Sequence, residues 1–258
     1  MNNLTKKIIN KSKLKAVISV TTGLDHIDLE ALKNKNIKIF NLKNKTFLKN
    51  VRASIEHTIF LIVLLSRINF FNQKNYTLFP TKEMIGTELF NKKIGIVGYG
   101  RIGKEISKIL HAFGAKIYFY DKHISTSKPK KVTRLKSVTS IFQHCDIISI
   151  NVTLKDNENL INERHFKKAK KNVKLINTSR GQVVNTNSLL SFLKKNKNAC
   201  AALDVIDHKH KDKYLNYKKN NNNLVITPHI GGLTKESIAK TDLYLAKKFM
   251  KWYNRNYD

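Results

Sequence analysis

From residue 93 onward, short apolar runs alternate with segments whose apolar residues recur every three or four positions. The runs 94–97, 116–120, 146–150, 173–177, 200–203 and 224–227 predict strands. They show little alternation of polar and apolar residues, as expected of strands covered on both faces. Helices are predicted over 101–113, in a short segment ending at Ile141 and Phe142, and over 186–195 with Leu189, Leu190 and Leu193 on one side. Strands alternating with helices predict an α/β fold built on a parallel sheet. Right-handed crossovers make it a doubly wound, Rossmann-type sheet.

The pattern before residue 93 differs. Residues 51–71 predict a helix that is apolar all round through 59–65, and therefore buried, wedged between two domains. Ahead of it lie a strand at 16–20, a helix at 29–35 and a strand at 37–40. At the other end Thr234 is placed to cap a helix running to about Tyr253, with Ile238, Leu245, Phe249 and Trp252 on one side. Neither end makes a domain alone. Together they predict a second, smaller α/β lobe.

Composition changes this picture little. A chain of 258 residues, 41% hydrophobic and 26% charged, fits an ordinary globular protein with a substantial core. The net charge of +31 matters more, but it comes from Lys spread along the whole chain beside Asn-rich stretches such as 220–223. Nucleic-acid readers concentrate Arg on one element, so the charge reads as compositional bias, and no specific nucleic-acid partner is expected. Its field still draws anionic ligands at low salt. The longest apolar stretch, 59–65, is too short to cross a bilayer, and no apolar segment follows the basic residues 1–15 as in a secretory signal. No membrane association and a cytoplasmic location are expected. Cys145 and Cys200 fall within predicted buried elements and read as core residues, with no metal site.

One turn carries a recognisable chemistry. Gly98-Tyr99-Gly100-Arg101-Ile102-Gly103 follows a predicted strand and opens a predicted helix, with Asp121 closing the next strand. Gly98 suits the tight turn, Gly100 a close approach of backbone to pyrophosphate, and Gly103 close packing of helix on strand. The helix N-terminus offers N–H groups to phosphates. Asp121 suits ribose hydroxyls and repels a 2′-phosphate, which favours NAD over NADP, although Lys122 beside it blurs the preference. Two later strand ends carry Arg180 and His229. Each alone would pass as a surface charge or a structural imidazole. Together on the rim of a dinucleotide-binding sheet they suit a carboxylate clamp and a general acid–base.

With these segments in order, the chain resembles the D-isomer-specific 2-hydroxyacid dehydrogenases. The resemblance rests on residues 19–28, Arg52 to His57, Gly95 to Gly103, Asn177 to Gly181, Ala202 to Val205 and Pro228 to Gly232. Segments 22–28 and 47–56 look closer to members of unassigned substrate than to phosphoglycerate dehydrogenases. The resemblance implies an NAD-dependent oxidoreductase, homodimeric, acting on a small D-2-hydroxy or 2-oxo acid. It implies a substrate lobe of residues 1–50 completed by 234–258, shaped as a truncated flavodoxin-like unit, and an NAD-binding domain of residues 51–233. Arg180 would hold the substrate carboxylate and polarise its carbonyl, and His229 would move the proton. Asp204, Thr178 and Ser179 would line the nicotinamide side, and Thr22 and Gly23 would complete the carboxylate pocket.

Two departures stand out. The family's Glu, which partners its catalytic His, falls five residues after Asp204, where this chain has Lys209. A lysine there opposes protonation of His229, unless Asp207 or Asp212 substitutes through a shifted loop. Residues 207–212 otherwise read as a polar surface loop. The family also places further strand–helix units before the segment matching 16–20. Their absence would leave a sheet edge open, through a mis-set start, a partner covering the edge, or erosion of catalysis. The competing functions are a non-catalytic NAD-binding relative, acting as regulator or oligomer partner, and a Lys-rich nucleic-acid binder.

Overall fold

The computed structural model describes residues 3–67, 79, 81–124 and 132–257. It divides into two units, Ser54–Gly231 and Met1–Ala53 with Gly232–Asp258. In the larger unit seven strands form one parallel sheet: β3 (Lys93–Val97), β4 (Lys116–Tyr120), β5 (Val132–Arg134), β6 (Ile147–Ile150), β7 (Lys174–Asn177), β8 (Cys200–Leu203) and β9 (Leu224–Ile226). Their order is β5-β4-β3-β6-β7-β8-β9, so the winding reverses between β3 and β6. In sheets of this kind ligands settle at the carboxyl ends of the strands, at that reversal.

Side chains alternate across the sheet. Ile94, Ile96, Ile147, Ile176, Cys200 and Ala202 pack on one face with Ile106 and Leu110 of the helix Arg101–Ala112. Val97, Ile148, Ile150, Leu175, Ala201 and Leu203 pack on the other with Ile141, Phe142, Leu189 and Leu193. Strands β6 and β8 are buried throughout, the physical reason their sequences lack polar alternation. Both cysteines are buried and unpaired. Two of the helices that flank the sheet begin on side-chain caps, Ser137 accepting from the Ser140 amide and Asn185 from that of Ser188.

Three expectations need correction. The apolar helix runs over Ala53–Ser66, and Phe60 is 54% and Val63 37% exposed, so it is not buried all round. Ile55, Leu61, Ile62 and Leu65 supply its buried side, while positions 68–71 of the expected helix lie outside the described residues. Residues 207–212 are not an open loop. They form a 3-10 turn, His208–His210, and the start of a helix, Lys211–Asn220, anchored by buried Tyr214. Strand β5 was not expected at all.

The smaller unit holds β1 (Ala16–Ser19) and β2 (Lys38–Asn41), paired in parallel. The helix Leu29–Asn34 between them is capped by Asp28, whose Oδ1 accepts from the Ala31 amide at 2.9 Å. The terminal helix Lys235–Tyr257 starts where Thr234 Oγ1 accepts from the Ser237 amide at 3.1 Å. Leu245, Phe249 and Trp252 pack on Phe40 and Leu42, with the Phe249 and Trp252 rings edge-on to Phe40. Ile238, expected on the same side, is exposed. Among the described residues no helix is long and apolar enough to cross a membrane.

Candidate active site

The glycine turn follows β3 directly. Gly98 sits at φ +92°, where a side chain is strained, and a Cβ there would also meet the Asn151 carbonyl oxygen at 2.6 Å. Its N–H donates to the Tyr120 carbonyl at 2.8 Å, tying the turn to β4. A Cβ on Gly103 would collide with the Gly98 carbonyl oxygen, so helix and strand approach only because both residues are glycine. Gly100 differs from both. A Cβ there would meet nothing within 4 Å. Gly100 is also the N-cap of the helix that Arg101 and Ile102 open, and no side chain caps it.

Asp121, at the end of β4, accepts the Tyr99 amide on Oδ2 at 2.7 Å and the His123 and Ile124 amides on Oδ1 at 2.8 and 3.0 Å. It therefore helps build the turn it was expected to serve. Partly exposed, it keeps acceptor capacity for a further donor, since a carboxylate offers about four lone-pair sites. The Tyr99 ring points into the core, 1% exposed, with its hydroxyl 3.0 Å from Ser107 Oγ and its face stacked on Phe119. The Tyr99 ring is thus committed to the core and its N–H to Asp121. Across the reversal from the turn, Asn151 Oδ1 is buried with no hydrogen-bond partner among the described residues.

The reactive side chains gather at the ends of β7, β8 and β9. Asn177 closes β7 and shapes the turn after it: its Oδ1 accepts from Ser179 N and Oγ, and its Nδ2 donates to the Arg180 carbonyl at 2.9 Å. Thr178 Oγ1 is 2.8 Å from Thr58 Oγ1 of the helix Ala53–Ser66. After β9, His229 adopts φ +58°, a conformation that costs a side-chain-bearing residue about 1 kcal/mol or more. Asp204, at the end of β8 and 2% exposed, compensates. It accepts from Thr227 Oγ1 at 2.6 Å and from the amides of Ile230 and Gly231 at 2.9 Å each. His57 Nε2 approaches the same Oδ1 to 3.2 Å. Both flanks of the His229 peptide are thus pinned to one carboxylate.

Partial desolvation holds the His229 imidazole below its ordinary range; the Asp204 charge pulls it up, and Arg180 and His208 push it down. The Arg180 charge therefore reaches His229, distant from it in sequence. The position counted for the family's Glu works differently from either expectation. Asp207 spends Oδ1 on the Lys209 amide at 3.1 Å as cap of its turn, and Asp212 lies in the first turn of the following helix. The His208 charge, from the turn that Asp207 caps, lowers the proton affinity of His229.

Thr22 and Gly23 belong to the smaller unit, where they follow β1; Thr22 is exposed and the Gly23 carbonyl accepts from Thr21 Oγ1 at 2.6 Å. Among the described residues no cluster of His, Cys, Asp or Glu is arranged to hold a metal. The sequence reading assigned no part to His57, Asn177, His208 or Thr227. His57 ends one of the matching segments and Thr227 directly precedes another, but no spacing announces that they meet at Asp204.

A family model described as D-isomer specific 2-hydroxyacid dehydrogenase, NAD binding domain, matches residues 60–231. The D-3-phosphoglycerate dehydrogenase of Haemophilus influenzae is 32% identical over 258 residues, covering 97% of this chain and 62% of that one. Its counterpart in Bacillus subtilis is 32% identical over 247 residues, covering 91% and 44%. This chain thus spans about half the length of these curated relatives, and the resemblance extends to phosphoglycerate dehydrogenases, away from which segments 22–28 and 47–56 had pointed. Among solved structures, D-lactate dehydrogenase from Aquifex aeolicus complexed with NAD and lactic acid is similar at a TM-score of 0.81 and 27% identity, over 96% of this chain and 80% of that one. An acyclic imino acid reductase in complex with NADPH and D-Arg gives 0.82 and 26%, over 99% and 81%. With its parallel sheet, its glycine turn and the residues at its strand ends, the chain belongs to the D-isomer specific 2-hydroxyacid dehydrogenase family.

Proposed function

We propose that this chain is an NAD-dependent oxidoreductase that moves a hydride between nicotinamide and a small D-2-hydroxy or 2-oxo acid. The observation that carries this reading is the gathering of Arg180, Asp204 and His229 at the ends of neighbouring strands β7, β8 and β9, where the Arg180 charge reaches His229. The larger unit fits the cofactor: open space at Gly100, an uncapped helix start, residual acceptor capacity on Asp121 and an unpartnered Asn151 Oδ1. The turn from Gly98 would bring the pyrophosphate to the backbone amides of the helix start, Gly100 to Gly103, and Asp121 would receive the ribose hydroxyls. Thr178, Ser179 and Asp204 would stand on the nicotinamide side. NAD supplies the hydride acceptor or donor; the chain supplies position and charge.

Arg180 binds the substrate carboxylate through parallel hydrogen bonds and draws electron density from the adjacent carbonyl. His229 gives a proton to the carbonyl oxygen in reduction and takes it back in oxidation. Its depressed proton affinity sets a direction. Reduction needs imidazolium, so its rate falls as pH rises through a value below 6.5, whereas oxidation uses the neutral ring and persists at neutral pH. The reading also carries assembly as a homodimer, which light scattering checks.

The test is titration with NADH and NADPH by fluorescence, then turnover on glyoxylate, hydroxypyruvate, pyruvate and phosphohydroxypyruvate. Binding of NADH is expected, and His229→Ala is expected to lower turnover by about 100-fold or more. No binding at millimolar cofactor would sink the reading. A second reading, a non-catalytic NAD-binding relative, is favoured by one observation: Lys209 stands where the family has its Glu, and the neighbouring His208 lowers the proton affinity of His229. Cofactor binding without turnover of any of the four acids would select it.

A further inference from the structure

The carboxylate beneath His229 has one neighbour the proposed reaction does not use. His57 Nε2 lies 3.2 Å from Asp204 Oδ1 and 3.2 Å from Thr227 Oγ1. The single hydroxyl proton of Thr227 is already given to Asp204 Oδ1 at 2.6 Å. Both oxygens facing Nε2 therefore present lone pairs. An Nε2 without hydrogen would face two acceptors with nothing to donate, in a site where Asp204 is 2% exposed and the His57 side chain 13%. The hydrogen must sit on Nε2. A second contact fixes the ring: a Cβ on Gly231 would lie 3.2 Å from His57 Cδ2 and 2.8 Å from Asp204 Oδ2. His57, Asp204 and the Gly231 backbone occupy one packed volume with no slack.

We propose that His57 is a positioning residue, donating Nε2–H to the Asp204–Thr227 pair and so fixing the carboxylate that places the His229 loop. Asp204 holds the Ile230 and Gly231 amides, and those two amides keep His229 at its positive φ. His57 closes the chain of support from the helix Ala53–Ser66 to the strand-end loop. Its kinetic consequence rests on the dehydrogenase reading; its structural consequence does not.

The full chain is compared with His57→Leu, which removes the donor, and His57→Gln, whose amide restores one. Amide hydrogen exchange at Ile230 and Gly231 is expected to quicken by about tenfold or more in His57→Leu, about 1.4 kcal/mol of local protection. His57→Gln should stay near the unsubstituted rate, and the β8 amides of Ala201 and Ala202 should be unchanged in both. In turnover, His57→Leu is expected to lower kcat about tenfold with KM for cofactor unchanged and to shift the pH dependence of kcat, with His57→Gln recovering both. Should His57→Leu fail to fold, the nitrogen resonance of His57 Nε2 in the unsubstituted protein decides, protonated as expected or bare against it. Unchanged exchange at Ile230 and Gly231, or an equal rise across β8, overturns the proposal. Quickened exchange in a protein that turns over no acid leaves the clamp standing and removes the dehydrogenase reading.

Discussion

Replacing Asp204 by Asn changes no volume and removes one acceptor, so its cost can be worked from the contacts. With its oxygen in the place of Oδ1, the amide keeps Thr227, Ile230 and His57 and turns its NH₂ toward the Gly231 N–H, donor against donor. The opposite orientation sets the NH₂ against three donors, so the first prevails. A buried N–H left without acceptor costs about 1–3 kcal/mol. The surviving bonds also weaken from charge-assisted to neutral, by up to about 1 kcal/mol each. A neutral group is cheaper to bury, which returns part of this. A net loss of about 3 kcal/mol follows. For a unit of this size each kcal/mol moves Tm by about 2–4 °C, so Asp204→Asn should melt about 6–12 °C lower. Scanning calorimetry and urea denaturation at pH 7 measure it, with an unchanged m-value showing that the same surface unfolds. A Tm within about 1 °C of the unsubstituted chain would refute the claim that this carboxylate is saturated by its neighbours.

Two further substitutions separate space from ligand at the glycine turn. Gly103→Ala forces a Cβ into the Gly98 carbonyl and should cost about 1–3 kcal/mol of stability, whereas Gly100→Ala finds open space and should leave stability within about 0.5 kcal/mol. If pyrophosphate approaches at Gly100, that silent substitution should still weaken NADH binding by about tenfold or more in a fluorescence titration; equal effects of the two on stability would contradict the assignment. A pH effect is expected at His165, 1% exposed, whose Nδ1 accepts the Asn162 amide at 3.2 Å and which burial and then Arg164 push down to about 4. The unfolded chain binds the extra proton between about 6.5 and 4, so this stability is complete above 6.5 and is lost as pH falls toward 4, on the order of 3 kcal/mol. Urea titrations across that window should show the slope, and His165→Gln should flatten it. Asp146, held low by Lys170 and the Lys93 amide despite its burial, acts in a separate window below 3.8.

What the sequence disclosed followed burial. Cys200–Leu203 and Thr186–Lys195 coincide with the expected bounds because each is locked into a core and its composition has no freedom. Strand β5 escaped because it is an edge strand in which Val132 alone is buried, leaving no run to read. The helix Lys211–Asn220 escaped for a related reason: Tyr214 is its one buried residue, held by Thr186 at 3.1 Å, and Lys and Asn elsewhere give no apolar stripe. In the helix Ala53–Ser66 the error ran the other way, since apolar residues at Phe60 and Val63 were taken for buried ones. An apolar residue is permitted outside; only a polar residue inside needs a partner.

The same asymmetry decides how much of the site could be read. Gly98 and Gly103 were legible because a backbone constraint leaves one residue type possible at each. Arg180 and His229 were legible through resemblance, as chemistry without geometry. What surrounds His229 could not be counted from Asp204, because counting assumes that the loop keeps its shape. Here Asp207 turns its carboxylate back onto the Lys209 amide, the chain winds into a 3-10 turn, and the His208 charge acts on the imidazole. Among the described residues, the carboxylate whose charge reaches His229 is Asp204, from beneath, through the peptide it anchors. The charge that supports a proton on His229 is therefore the same one that holds its backbone in place. A change that loosens the loop alters the burial of the imidazole and its support from Asp204 together, so geometry and protonation are coupled in this chain.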